Sequence, residues 1–414
     1  MQHAMRNYLV VTASYWGFTL VDGALRMLVL LHFFKLGYSP FTLSFLFLLY
    51  EFAGIVANLA GGWLAVRFGI PVMLAVGQVL QVAGLVMLSA LDPAWTAIAS
   101  VIWVVAAQGI SGLAKDFTKT ASKSAIKATA AEGAGQLFKW VAWFTGSKNA
   151  MKGAGFFVGG LLLDTIGFKA ALYLMAALIG SVFVLGIVLL PGQLGKAKSS
   201  KSMKELFAKS RGVNLLAAAR VFLFGARDVW FVVGLPVFLY VNGWRFIEVG
   251  TFLAAWTMAY GVMQGLAPAL VSRSGDGLSA EIPAARLWAG LLTAIPAVLA
   301  LMLASGSVAR PDVLLVIGLA VFGLPFAVNS SLHSYLILAY AGSEKAAEDV
   351  GFYYAANALG RLGGILLSGA LYQIGGIVGC LVGSAAMLAA CWAITLALPA
   401  TATAQAAENQ PVKV

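Results

Sequence analysis

Residues 15–40 read YWGFTLVDGALRMLVLLHFFKLGYSP, and residues 222–246 read FLFGARDVWFVVGLPVFLYVNGWRF. A bilayer-spanning helix needs about 20 mostly apolar residues, and both runs are long enough. Each also carries charge in its interior: Asp22 and Arg26 in the first, Arg227 and Asp228 in the second. At an offset of 206, Asp22 meets Asp228 and Gly37 meets Gly243. Further along, Asn58 meets Gln264, Leu64 meets Leu270, Arg67 meets Arg273 and Gly69 meets Gly275. The match is sparse but colinear, so the second half of the chain reads as a repeat of the first.

The rest of the sequence agrees with a membrane protein. Of its 414 residues 61% are hydrophobic and only 10% charged, against about 25% charged in a soluble domain. Apolar periodicity places twelve spans at 8–30, 41–65, 72–91, 95–114, 140–163, 168–190, 213–240, 246–270, 284–304, 312–337, 350–372 and 378–398. The first run, from Tyr8, lacks a small-residue cleavage site, so no cleaved signal peptide is expected. With twelve spans the loops alternate cleanly in charge. The set that includes both termini holds seventeen Lys and Arg, and the other set holds four: Lys35, Lys169, Arg245 and Arg310. By the positive-inside rule both termini are expected in the cytoplasm. The same distribution explains the basic balance of +11 without invoking nucleic acid. The polar stretch 191–212 divides the chain into six-helix bundles at 1–190 and 213–400, and 401–414 reads as a disordered tail.

Two parallel six-helix repeats describe the major facilitator fold, an all-α membrane architecture. The turn Gly62-Trp63-Leu64-Ala65-Val66-Arg67-Phe68-Gly69 resembles that superfamily's G-x-L-A-D-R-x-G-R-R signature, with Val66 in place of the Asp and Ile70-Pro71 in place of the basic pair. Longer blocks resemble the ArsJ-type organoarsenical efflux permeases: residues 7–33, SGLAKDFTKTASKSAIK (111–127), LFKWVAWFTGSKNAMKGAGFFVGGLLL (137–163) and AAARVFLFGARDVWFVVGLPVF (217–238). That resemblance implies export of 1-arseno-3-phosphoglycerate. This unstable ester forms when glyceraldehyde-3-phosphate dehydrogenase uses arsenate in place of phosphate, so the dehydrogenase is an expected functional partner.

Six cations lie inside the apolar runs: Arg26, Lys148, Lys152, Arg220, Arg227 and Arg361. A cation at bilayer depth costs about 3 kcal/mol on insertion scales. At that depth the sequence offers Asp22, Glu51 and Asp228 as negative charge, leaving a surplus that an anionic ligand would balance. Lys148 and Lys152, four apart, share a helix face and read either as snorkelling side chains or as substrate ligands. Arg220 and Arg227, seven apart, also share a face; Asp228 projects about 100° from Arg227 on a helix and is not expected to neutralise it. Arg220 is as readily structural as ligand-binding. Arg26 either pairs with Asp22 at its i,i+4 spacing or binds ligand. Arg361 sits in a small-residue stretch suited to helix packing or to a ligand contact. Lys115, Lys119, Lys123 and Lys127 form a ladder, a topology signal or an electrostatic funnel. Asn329, Ser330, Ser331, His333 and Tyr335 either line a cavity or pack between helices. Asp22, Asp228 and Glu51 are the candidates for proton coupling.

Cys380 and Cys391 are the only cysteines, eleven residues apart, and suit neither a zinc site nor trivalent arsenic, which favours converging thiolates. Guanidinium and ammonium groups suit a pentavalent, phosphate-like ester. The sequence thus predicts a monomeric inner-membrane carrier of a small organic anion, without metal, cofactor or enzymatic activity.

Overall fold

The computed structural model describes residues 2–57, 69–129, 134–191, 210–272, 274–275, 278–340 and 346–399, with backbone alone at 2–5, 8, 123–129, 134–146 and 346–348. Several expectations therefore lie outside the described residues. They are the turn signature with Arg67, position Asn58, the linker 192–209, Arg273, the side chains of Lys123 and Lys127, and the tail from 400.

Among the described residues every regular element is helical. The helices are α1 (Gln2–Lys35), α2 (Pro40–Ala57), α3 (Ile70–Ser89), α4 (Ala97–Thr129), α5 (Ala134–Thr165), α6 (Gly167–Leu189), α7 (Arg211–Val241), α8 (Phe246–Leu266), α9 (Glu281–Ala304) and α10 (Pro311–Tyr340). A final run, Ala346–Leu396, is broken where Gly376 takes φ 58°, ψ −151°. Glycine alone adopts that conformation freely, so the run becomes α11 (346–374) and α12 (377–396). Twelve helices lie where the twelve spans are expected, and among the described residues ten stretches are long and apolar enough to cross a membrane, Asp349–Leu396 being one of them and α5 not. The fourth span does not end at 114: α4 continues to Thr129, and its apolar stretch runs to Ser122.

The chain packs as two compact units, Met1–Lys201 with Gly243–Met258, and Ser202–Asn242 with Ala259–Val414. In the first unit, α1 and α5 approach through glycines. A Cβ at Gly155 would collide with the carbonyl oxygen of Leu20, and one at Gly159 with that of Ala24. In the second unit α7 and α11 repeat this seam: Gly360 abuts the carbonyl of Val221, and Gly364 that of Gly225. Small residues let helices approach closely where lipid removes the hydrophobic drive to associate.

These two seams correct the repeat register. Leu20 and Ala24 correspond to Val221 and Gly225, an offset of 201, so Arg26 corresponds to Arg227 and Asp22 does not correspond to Asp228. At the following turn the offset is again 206, since Gly37 (φ 88°) and Gly243 (φ 90°) match. The five extra residues therefore lie between Arg227 and Gly243, the stretch in which α7 is interrupted at Val232–Val233. Pro236, which cannot donate to the carbonyl four residues back, follows this break. The amides of Val233 and Gly234 donate instead to the Ser368 hydroxyl, at 3.3 and 3.0 Å.

Candidate functional site

In the first unit the charged side chains of α1, α2 and α4 meet. Arg26 donates through Nη2 to Glu51 Oε1, and Tyr50 donates its hydroxyl to Asp22 Oδ1. Tyr50 and Glu51 are neighbours on α2, so this helix engages both Asp22 and Arg26 of α1. Beside the Asp22–Arg26 pair that the spacing offered as one alternative, the structure gives each residue a partner on another helix. Spacing alone could not reveal them, because the partners lie more than twenty residues away. The Tyr50 ring is flanked by cations: Lys115 Nζ lies 3.9 Å from its centroid and the Arg26 guanidinium 5.1 Å.

Lys115 and Lys119 belong to the α4 interior rather than to a loop. Asp116, 2% exposed, lies between them, 3.3 Å from Lys119 Nζ and 3.9 Å from Lys115 Nζ. Asp116 was absent from the negative charges expected at depth, because charge at 115, 116 and 119 looks like the end of an apolar run. An ion pair folded into the helix face removes that signal. On α5, Lys148 and Lys152 are half-buried. Trp16 donates Nε1–H to Ser147 Oγ at 2.8 Å, tying α1 to α5 beside Lys148. The carbonyl of Lys152 abuts Gly23, next to Asp22.

In the second unit Asp228, fully buried, holds two guanidiniums. Arg227 donates Nε–H and Nη2–H to Oδ1 at 2.7 and 2.5 Å, and Arg361 donates Nε–H to Oδ2 at 3.3 Å. Asp228 therefore does neutralise its neighbour, against the expectation: the long arginine chain folds back along α7 across the angle between their Cβ directions. Arg361 is an ion-pair member reaching from α11. Both arginines keep some exposure, 14% and 17%. The Arg227 guanidinium also lies 5.0 Å from the Phe224 ring and 5.7 Å from the Phe326 ring.

Arg220, only 4% exposed, differs. It donates Nε–H to Asn357 Oδ1 at 2.9 Å and Nη1–H to the Ser330 carbonyl and hydroxyl at 3.1 and 3.3 Å. Its partners among the described residues are neutral. The polar group expected in the tenth span divides: Asn329, Ser330 and His333 are buried, whereas Tyr335 is 44% exposed. Tyr335 and Ser331 help line a cavity of ≈ 60 Å³ with Ala267, Val271, Glu281 and Leu332, and no interior cation reaches it. Cys380 and Cys391 are both buried and free, three turns apart on α12.

Taken by unit, the first holds five interior cations (Arg26, Lys115, Lys119, Lys148 and Lys152) and the carboxylates Asp22, Glu51 and Asp116. The second holds Arg220, Arg227 and Arg361 with Asp228, which pairs with the last two. Each unit keeps two positive charges beyond its carboxylates among these groups. This arrangement can hold oxyanions through charge-assisted hydrogen bonds, with carboxylates that orient the donors.

Residues 8–362 match the family model described as Major Facilitator Superfamily. No curated protein matches the chain. Among solved structures, the chain superposes on a POT family transporter in complex with a thioalcohol-conjugated peptide. The TM-score is 0.74 at 13% identity, over 95% of each chain. It also superposes on a mutant of the nucleoside transporter NupG with TM-score 0.69 and 15% identity, over 96% of this chain and 98% of that one.

Proposed function

The chain belongs to the Major Facilitator Superfamily, and from that premise we propose that it is an efflux carrier for an organoarsenical phosphate ester, 1-arseno-3-phosphoglycerate. It is a multi-pass membrane protein with a transporter fold. The observation that carries the substrate class is the cation surplus in each unit. Positive charge at membrane depth is costly, and an ester bearing phosphate and arsenate groups would balance part of it. The blocks at 111–127, 137–163 and 217–238 support the arsenical identity through their resemblance to the organoarsenical permeases.

In this reading the protein works by alternating access between its two repeats, as a monomer in the cytoplasmic membrane with both termini inside. An entering oxyanion competes with Glu51 for Arg26 and with Asp228 for Arg227. Glu51 and Asp228, each displaced from its guanidinium by that competition, are the proton-coupling candidates in this scheme. That exchange links substrate occupancy to the proton gradient. Glyceraldehyde-3-phosphate dehydrogenase supplies the ester, and no nucleic acid, metal or cofactor takes part.

A second reading, an organophosphate carrier, follows from the same guanidinium forks, which bind phosphate and arsenate alike. Arsenate resistance in cells carrying the gene, with and without the dehydrogenase, separates the two. Resistance that needs both proteins supports arsenical ester export. Resistance without the dehydrogenase points to free arsenate, and no resistance points to an organophosphate.

A further inference from the structure

Three donors converge on one hydroxyl oxygen in the second unit. Ser330 Oγ receives Arg220 Nη1 at 3.3 Å, the Tyr260 hydroxyl at 3.1 Å and Gln264 Nε2 at 3.2 Å. Arg220 Nη1 reaches the Ser330 carbonyl as well, at 3.1 Å, so the guanidinium sits among neutral oxygens. All three approaches are long for strong hydrogen bonds. The surroundings add further unused polar capacity. Asn329 and His333, fully buried next to Ser330 on α10, have no hydrogen-bond partner on either side-chain polar atom among the described residues. No described carboxylate pairs with Arg220. A buried guanidinium with only neutral partners among the described residues, and polar atoms without a partner on the same stretch of α10, describe a site short of one oxyanion.

We propose that Arg220, Tyr260 and Gln264 form, around Ser330, a second oxyanion subsite that takes one anionic end of the substrate while Arg227 and Arg361 take the other. The inference rests on the anion-carrier reading above and narrows it to a substrate with two oxyanion ends. The spacing supports this. The Arg220 guanidinium lies 4.0 Å and that of Arg227 5.0 Å from the centroid of the same Phe224 ring. The two guanidinium carbons are therefore no further apart than the sum of those distances, about 9 Å, within reach of a short carbon chain bearing a phosphoryl, arsenyl or carboxylate group at each end. The subsites differ in kind. Arg227 and Arg361 are held by Asp228, so an anion there must compete with a carboxylate. At Arg220 an anion competes only with neutral acceptors, the Asn357 side chain and the Ser330 carbonyl and hydroxyl.

Binding of two stable probes to the full-length protein in nanodiscs tests this: 3-phosphoglycerate, with two oxyanion ends, and inorganic phosphate, with one. Wild type is expected to bind 3-phosphoglycerate at least about tenfold more tightly than phosphate. Tyr260→Phe, which removes one donor and keeps the ring, and Arg220→Gln should each erode that preference and leave phosphate binding at Arg227 in place. If both variants bind the two probes as wild type does while Arg227→Ala loses both, the second subsite is wrong and the anion-carrier reading stands. Wild-type protein that binds neither probe overturns both.

Discussion

Arg26 and Arg227 occupy the same place in the two repeats, each two residues past a carbonyl against which a glycine of the fifth helix of its repeat is pressed. Their carboxylates come from different places: Glu51 on α2 for Arg26, Asp228 on α7 itself for Arg227. The repeat preserves the cation and lets the counter-charge move. Removing one partner of a buried pair costs about 3–5 kcal/mol because the other charge stays buried. Arg26→Ala takes from Glu51, 1% exposed, the guanidinium it pairs with, whereas Arg227→Ala leaves Asp228 bound to Arg361. Thermal unfolding of the purified proteins should show the larger loss for Arg26→Ala, and the reverse order would contradict this pairing.

The glycine seam of α7 and α11 gives a paired comparison. A side chain at Gly360 meets the Val221 carbonyl, whereas one at Gly363, three residues on, meets nothing within 4 Å. Overpacking costs about 1–3 kcal/mol, while replacing an unconstrained helical glycine by alanine gains roughly 1 kcal/mol. Gly360→Ala is therefore expected to lower the melting temperature and Gly363→Ala to hold or raise it. Equal effects would mean that α11 does not approach α7 through Gly360.

Thiols are not expected to take part in transport. Cys380 and Cys391 are buried and free, too far apart on α12 to converge on one arsenic atom. The double variant Cys380→Ala, Cys391→Ala should confer the same arsenate resistance as wild type at equal abundance. Loss of resistance would favour a trivalent arsenical over the pentavalent ester.

Much of this architecture is legible from local pattern. Helix number follows from apolar run length, and Arg26, Arg220, Arg227 and Arg361 stand out because charge inside such runs is costly. The partners are set by packing between helices and carry no local signal. Glu51 reaches Arg26 from α2, Arg361 reaches Asp228 from α11, and Tyr50 lies between Asp22 and Lys115. Asp116 escapes notice for the converse reason, since its two lysine neighbours imitate a helix end. The repeat offset misleads at Asp22 and Asp228 because the register shifts between Arg227 and Gly243. Tyr260 and Gln264 look like ordinary packing residues until their shared acceptor, Ser330, is visible.

The most direct test of the cationic site is arsenic uptake into everted membrane vesicles supplied with glyceraldehyde-3-phosphate, arsenate, oxidised nicotinamide cofactor and the dehydrogenase. Vesicles with wild-type protein are predicted to accumulate arsenic only when the complete mixture is present. Vesicles with equal amounts of Arg227→Ala should take it up at least about tenfold more slowly, as expected for loss of a charged hydrogen-bonding ligand. Uptake by Arg227→Ala at the wild-type rate would contradict the account.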